Sequence, residues 1–173
     1  DADDRPVFTE YLGAMLRGVT CRGGGRGAAD LPVIPGAPDA GGAIWEKAVF
    51  VEPERPHIYD GCTGIVFPIH TSRWFARQVG LPGIILQGTA TLAFAAREIV
   101  NREAAGDPAR LESLSCRFSG MVRPGTTIRI RLVGRSAGKK GNDLFFDVTT
   151  EEGQPVLRNG WASVRYPGDA DAV

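Results

Sequence analysis

After Pro108 the chain takes up a two-residue rhythm and keeps it through four segments. Leu114, Cys116 and Phe118 alternate with Ser115, Arg117 and Ser119, and Ile128, Ile130 and Leu132 alternate with Arg129 and Arg131. Further on, Leu144, Phe146 and Val148 alternate with Phe145, Asp147 and Thr149, and Ala162, Val164 and Tyr166 with Trp161, Ser163 and Arg165. Successive side chains of a strand point to opposite faces, so the rhythm predicts four strands with one face buried and one wet. Breaks at Pro124-Gly125, at 138–142 and at Glu152-Gly153 predict hairpin turns, which makes the strands antiparallel.

The chain upstream supplies what such a sheet must cover. Residues 44–51 read as a further strand. Residues 52–70, with Pro53, Pro56, Gly61, Gly64 and Pro68, read as loop. Thr71 or Ser72 can cap a short helix that ends at Gly80, and Leu81-Pro82-Gly83 reads as a turn. A longer helix is predicted from Gly88 to Arg102. Its apolar Leu92, Ala96, Ile99 and Val100 fall at helical spacing, while Ala90, Ala93, Ala95 and Ala96 keep much of its surface small. A helix of that character is buried. One antiparallel sheet wrapped around one central buried helix is the economical packing for this order of elements. The expected fold is therefore α+β, a single hot-dog domain over residues 44–167. Residues 1–43 are dense in glycine and proline and read as an arm or connector. Phe8 to Leu16 form a candidate short helix with Phe8, Leu12, Met15 and Leu16 on one face. Residues 168–173 read as a tail.

Composition bounds the function. Lysine plus arginine number 20, as do aspartate plus glutamate, so the net charge is zero. Broad attraction to nucleic acid or to a membrane surface is not expected, and any anion site must be local. No apolar run approaches the roughly 20 residues that cross a bilayer. Cys21, Cys62 and Cys116 are odd in number, and no pair has CxxC spacing. Neither a zinc site nor a disulfide framework is indicated, and free thiols in a cytoplasmic compartment are the expectation.

Residues 59–94 carry a family resemblance. Thr63-Gly64, then Pro68-Ile69-His70, then the run Gly80-Leu81-Pro82-Gly83 through Gln87-Gly88, resemble the signature of the MaoC-like dehydratases and (R)-specific enoyl-CoA hydratases. That signature runs S-G-D-x-N-P-x-H and then A-x-x-x-G-x-P-G-x-I-x-H-G. Phe118 with Pro124-Gly125 is similar to the family's F-x-x-P-V-x-P-G strand pair. The resemblance covers about residues 44–167 and implies a hot-dog fold acting on an acyl thioester with no cofactor and no metal. It also marks three departures. The family's catalytic Asp falls on Ile65, its Asn on Phe67, and the His of its H-G pair on Gln87.

Adding water to an enoyl thioester needs a base for the water, an acid for the α-carbon, and donors for the thioester oxygen. His70 is the candidate base, since imidazole titrates near neutrality. The backbone N–H of Gly88, at the start of the long helix, is the candidate oxyanion donor that the resemblance implies. Gln87 either adds an amide donor or is a polar rim residue. Asp60 is the candidate substitute acid, either orienting His70 or replacing the missing Asp; its bland reading is a turn aspartate facing water. Tyr59 falls where the family is often aromatic. His57 shares a face with it if the segment is extended. Ile65 and Phe67 make the pocket drier, which suits either a hydrophobic acyl chain or a site that binds without catalysing. Cys62 is a free thiol in the same stretch. Arg129, Arg131, Arg135, Lys139 and Lys140 form the strongest local positive cluster, a candidate docking patch for the phosphates of CoA, but charges on the wet face of a hairpin are usually just solvated.

Three functions stay open. One is a hydratase or dehydratase of an acyl-CoA or acyl-carrier-protein thioester. The second is a non-catalytic acyl-binding or structural hot-dog subunit, and the third a thioesterase. Exposed sheet edges make a homodimer the default assembly, with a heterodimer beside a catalytic hot-dog subunit as the alternative.

Overall fold

The computed structural model describes residues 4–14, 16, 18–23, 31–38, 41–138 and 140–168. The chain divides into two compact units, Asp1–Ile34 and Pro35–Val173. The described residues of the first unit form neither helix nor strand. The helix expected over Phe8 to Leu16 is absent there. Phe8, Leu12 and Leu16 are 79%, 82% and 70% exposed, and Met15 lies outside the described residues. A helix this short is marginal in water unless something covers its apolar face.

The second unit runs β1 (Trp45–Val51), α1 (Arg55–Thr63), α2 (Arg73–Gln78), α3 (Gly88–Glu103), a single 3-10 turn at Pro108–Arg110, β2 (Leu111–Phe118), β3 (Thr126–Ala137), β4 (Gly141–Thr150) and β5 (Pro155–Arg165). The five strands form one sheet in the order β1-β3-β4-β5-β2, antiparallel throughout. This is the hot-dog arrangement, with α3 packed on one face of the sheet. Ala90, Phe94, Ala95 and Ile99 of α3 share a core with Val49, Val51, Ile128, Ile130, Leu132, Leu144, Phe146 and Val148. Register enforces that face, because Ile130 stands opposite Val148 and Leu132 opposite Phe146.

Four details differ from the sequence expectation. First, residues 52–70 are not all loop, because Arg55–Thr63 is helical. Pro56 sits in the first turn, where its missing N–H costs nothing, and Gly64 (φ +67°) supplies the left-handed stop. Second, Pro124-Gly125 is not a hairpin turn. β2 and β3 lie apart in the sheet, and the Gly125 N–H donates to the Val51 carbonyl at 2.7 Å. Third, the buried stripe of α3 runs through Thr91, Ala95 and Ile99, flanked by Ala90, Phe94 and Glu98. Leu92, Ala96 and Val100 sit at its margin, half-buried. Fourth, the register slips between Leu132 and Gly134. That bulge turns Arg135 to the helix side, where it pairs with Glu103 at 2.8 Å.

Removing Ile99, which is wholly buried, is expected to cost more than removing the half-buried Leu92. Denaturant unfolding of Ile99→Ala should show a loss of about 3 kcal/mol, and Leu92→Ala less than half of that. Equal losses would mean that the buried face is not the one described.

Candidate functional site

His70 stands in a tight turn ahead of α2. Its N–H donates to the Phe67 carbonyl at 3.0 Å, and the Ser72 N–H donates to that of Pro68 at 2.8 Å. The Ser72 hydroxyl then caps α2 by accepting from the Phe75 N–H at 3.2 Å. The imidazole Nδ1 lies 2.8 Å from the carbonyl oxygen of Ile85. A carbonyl can only accept, so Nδ1 carries a proton, and in the neutral ring the lone pair lies on Nε2. The same two segments are joined again where the Ile85 N–H donates to the Ile69 carbonyl at 3.3 Å. The Phe67 ring meets the imidazole edge-on with centroids 6.1 Å apart. His70 is half-buried, so its free nitrogen belongs to a ring that solvent and ligands can reach.

Three residues beyond Ile85, the chain enters α3. Gln87 is its N-cap residue, but its side chain caps nothing, and the Thr91 N–H closes the first helical bond on the Gln87 carbonyl at 3.2 Å. The N–H groups of the residues before Thr91 therefore have no partner within the helix. Gly88 and Thr89 are exposed. A side chain at Gly88 would meet the Phe118 ring, since a Cβ there would lie 2.9 Å from its Cδ1. A larger residue here would force the Phe118 ring to move. Phe118 is 45% exposed and covers this helix end. Sequence reasoning quoted Phe118 only as part of a strand motif and missed this contact.

Gln87 and Asp60 form a second cluster. Gln87 is buried, which excludes the rim reading. Its Nε2 donates to the Asp60 carboxylate and to the Pro56 carbonyl, the latter at 2.9 Å. Asp60 is buried on α1 and is not a solvent-facing turn residue. Its Oδ2 and the Oε1 of Gln87 are both buried with no hydrogen-bond partner. Native proteins rarely leave buried acceptors empty without a functional or solvent partner. No cation pairs with Asp60 among the described residues. Glu98, the other buried carboxylate, is held by Arg97 at 3.0 Å and Arg102 at 3.5 Å.

The structure brings together some of the sequence candidates and separates others. His57 and Tyr59, two apart on a helix and not on a strand, do not share a face. His57 is exposed, with Nε2 3.3 Å from the Thr71 carbonyl, whereas the Tyr59 ring packs against the core. Ile65 and Phe67 are about half exposed, at 48% and 49%. The arginine cluster is largely neutralised by carboxylates. Arg129 pairs with Glu46 and Arg131 with Asp147, each at 2.7 Å. Lys139 lies outside the described residues. Among those residues, no group of three or more His, Cys, Asp or Glu is placed to hold a metal ion, and no helix is long and apolar enough to cross a membrane.

Comparisons with known proteins give the family. Residues 42–154 match the MaoC like domain family. The chain is 30% identical over 163 residues to a probable enoyl-CoA hydratase 2 of Dictyostelium discoideum, covering 92% of this chain and 53% of that protein. It is 35% identical over 133 residues to 3-hydroxyacyl-thioester dehydratase Y of Mycobacterium tuberculosis, covering 74% of this chain and 43% of that protein. It thus spans about half the length of these curated relatives. The crystal structure of a MaoC-like dehydratase from Phytophthora capsici superposes with a TM-score of 0.71 at 24% identity, over 81% of this chain and 46% of that one.

The three thiols are free, and burial pushes that of Cys116 up to about 11. At pH 8 only about one Cys116 in a thousand is thiolate, the reactive form. Alkylation at pH 8 should therefore modify the exposed Cys21 and Cys62 first and Cys116 at least about 100-fold more slowly. Mass spectrometry of a time course checks this, and equal rates would contradict the burial described.

Proposed function

This chain belongs to the MaoC-like domain family, and on that premise we propose that it hydrates an enoyl thioester, or dehydrates the 3-hydroxyacyl product, with His70 as the base. The observation that carries this reading is the hydrogen bond from His70 Nδ1 to the Ile85 carbonyl. It leaves Nε2 as a proton acceptor beside the segment that leads into α3. In the hydration direction Nε2 takes a proton from water as the oxygen bonds to the β-carbon. The electrons of the double bond pass to the thioester oxygen as an enolate. The Gly88 N–H at the α3 terminus stabilises that charge, where the helix dipole adds to the hydrogen bond. The α-carbon then takes a proton, and the proton held by His70 returns through solvent to the acid, so that one water is added overall.

Asp60 is the source we assign to the α-carbon proton, directly or through one water. It is a buried carboxyl group whose Oδ2 is unpartnered, and Gln87 ties it to the residue before Gly88. The Tyr59 ring packs against the core, and His57, with Nε2 3.3 Å from the Thr71 carbonyl, is assigned at most a supporting role. The half-exposed Ile65 and Phe67 suit an apolar acyl group. No cofactor is invoked. The acyl group is carried by CoA or an acyl carrier protein, and three free thiols fit a cytoplasmic setting.

A second reading has its own observation. Ile65, Val66, Phe67, Trp74 and Val79 are 48–77% exposed. Apolar side chains at that exposure suit cover by another chain. A homodimer supplies that cover, and so does a heterodimer in which this chain binds the acyl group and the partner carries the catalytic carboxylate that Ile65 lacks. A thioesterase would need the same Asp60 and would release free thiol.

The test is hydration of a panel of enoyl-CoA chain lengths. Purified protein is expected to turn over at least one of them. His70→Ala should lower kcat by about 100-fold or more, and Asp60→Asn should do the same with KM little changed. Turnover unaffected by His70→Ala sinks the assignment of the base. No turnover at any chain length moves the reading to the binding subunit.

A further inference from the structure

The outer face of the sheet, turned away from α3, carries its charges in two different ways. Across β1, β3 and β4 they are neutralised in pairs. Arg129 meets Glu46 at 2.7 Å, and Arg131 takes both oxygens of Asp147, each at 2.7 Å. Across β5 and β2 they are not. Ser115 and Arg117 alternate with Leu114 and Cys116, which pack on the core, so Arg117 stands on the outer face. Arg158 of β5 is directly opposite it in the ladder. Residues so placed share a face, and like charges there repel. Both arginines are exposed, and neither makes a hydrogen bond or ion pair with a described residue. The next pair on the same face is Ser115 with Trp161, and the register slips between the two pairs. Within that slip Asn159 takes φ +50°, the left-handed region that residues other than glycine rarely adopt. A bulge thus sits beside two unpaired cations, and bulges commonly re-aim side chains at functional sites.

We propose that this half of the outer face docks an acidic segment of a partner protein, with Arg117 and Arg158 gripping its carboxylates and the half-buried Trp161 as the apolar anchor beside them. Arginine's planar fork meets carboxylate oxygens in pairs. Arginine and tryptophan are also the residue types that carry most of the energy in protein interfaces. The carboxylate on β4 that faces the bulge, Asp147, is already bound by Arg131, so the anion for this pair has to come from elsewhere. A small-molecule site is concave, whereas these two residues stand exposed on a sheet face. Nucleic acid calls for a run of cations, and the flanking Ser113, Ser115 and Ser163 are neutral. A purely structural role does not account for the pair, because repulsion across the ladder only weakens the sheet. The proposal is independent of His70 and of the acyl-thioester reading.

Nitrogen NMR of the whole chain, titrated at low salt with a hexaglutamate peptide, tests this without turnover. Of the three tryptophans, the Trp161 indole alone should shift, together with the guanidinium signals of Arg117 and Arg158. A hexaglutamine peptide should leave all of them in place. Arg117→Gln/Arg158→Gln should bind hexaglutamate about 10-fold or more weakly, whereas Arg73→Gln, which removes an exposed arginine from the start of α2, should bind it as the unaltered chain does. Thermal unfolding is the second measurement. With the repulsion removed, the double variant should melt at the same temperature as the unaltered chain or above it. A lower melting temperature would show that the pair holds the sheet together and would overturn the proposal. Absence of hexaglutamate binding overturns it too, as does binding that survives in the double variant, or shifts at Trp45 or Trp74 in place of Trp161. Inorganic phosphate binding as tightly as the peptide would make this a small-anion site, and a dimer that the double variant dissolves would make the occupant a second copy of the chain; either result overturns the acidic partner.

Discussion

Ala90, Phe94, Ala95 and Ile99 place one face of α3 in the same core as Ile128, Ile130, Leu132 and Phe146, and this contact fixes where the helix begins. The small side chains at 90 and 95 let the sheet come close, and the larger ones lock the helix along its axis. Once α3 is fixed, so are its unbonded N-terminal amides and the segment that enters it. The Leu86 N–H donates to the Val122 carbonyl at 2.8 Å, tying that segment to the link between β2 and β3. The Ile85 carbonyl is thereby held still, and it is this oxygen that sets the tautomer of His70. Core packing and the setting of the His70 imidazole are therefore connected through a few backbone hydrogen bonds.

The Asp60–Gln87 cluster is built by the same logic from the other side. α1 delivers a carboxyl group into the interior, and the residue that opens α3 receives it. Burial strengthens such a contact and raises the cost of leaving Oδ2 and Oε1 without partners. The chain has no carboxylate at Ile65, and α1 carries a buried one, Asp60, that is tied to the residue before Gly88.

The strands were legible because Ile128, Ile130 and Leu132 of β3 and Leu144, Phe146 and Val148 of β4 are all buried at two-residue spacing, and burial is the cause of that alternation. The buried helix was legible for the same reason, though Leu92 and Val100 misplaced its face by part of a turn. α1 was hidden. Pro56, Gly61 and Gly64 look like breakers in a string of letters, whereas Pro56 at the first turn and Gly64 past the last are helix punctuation. The contact between Asp60 and Gln87 spans 27 positions and has no local signal. Neither has the bulge that redirects Arg135. His70 and Gly88 could be named from the resemblance, but the Ile85 carbonyl that makes Nε2 the basic nitrogen belongs to the backbone and leaves no trace in residue types.

The central claim is that His70 presents an unprotonated Nε2 to the ligand. The chain has two histidines, so His57→Gln leaves His70 as the single imidazole for nitrogen NMR. The account predicts a protonated Nδ1 and a lone pair on Nε2 at neutral pH, with Nε2 alone shifting when an unreactive acyl-thioester analogue is added. A proton on Nε2, or a spectrum that ignores the analogue, would contradict it.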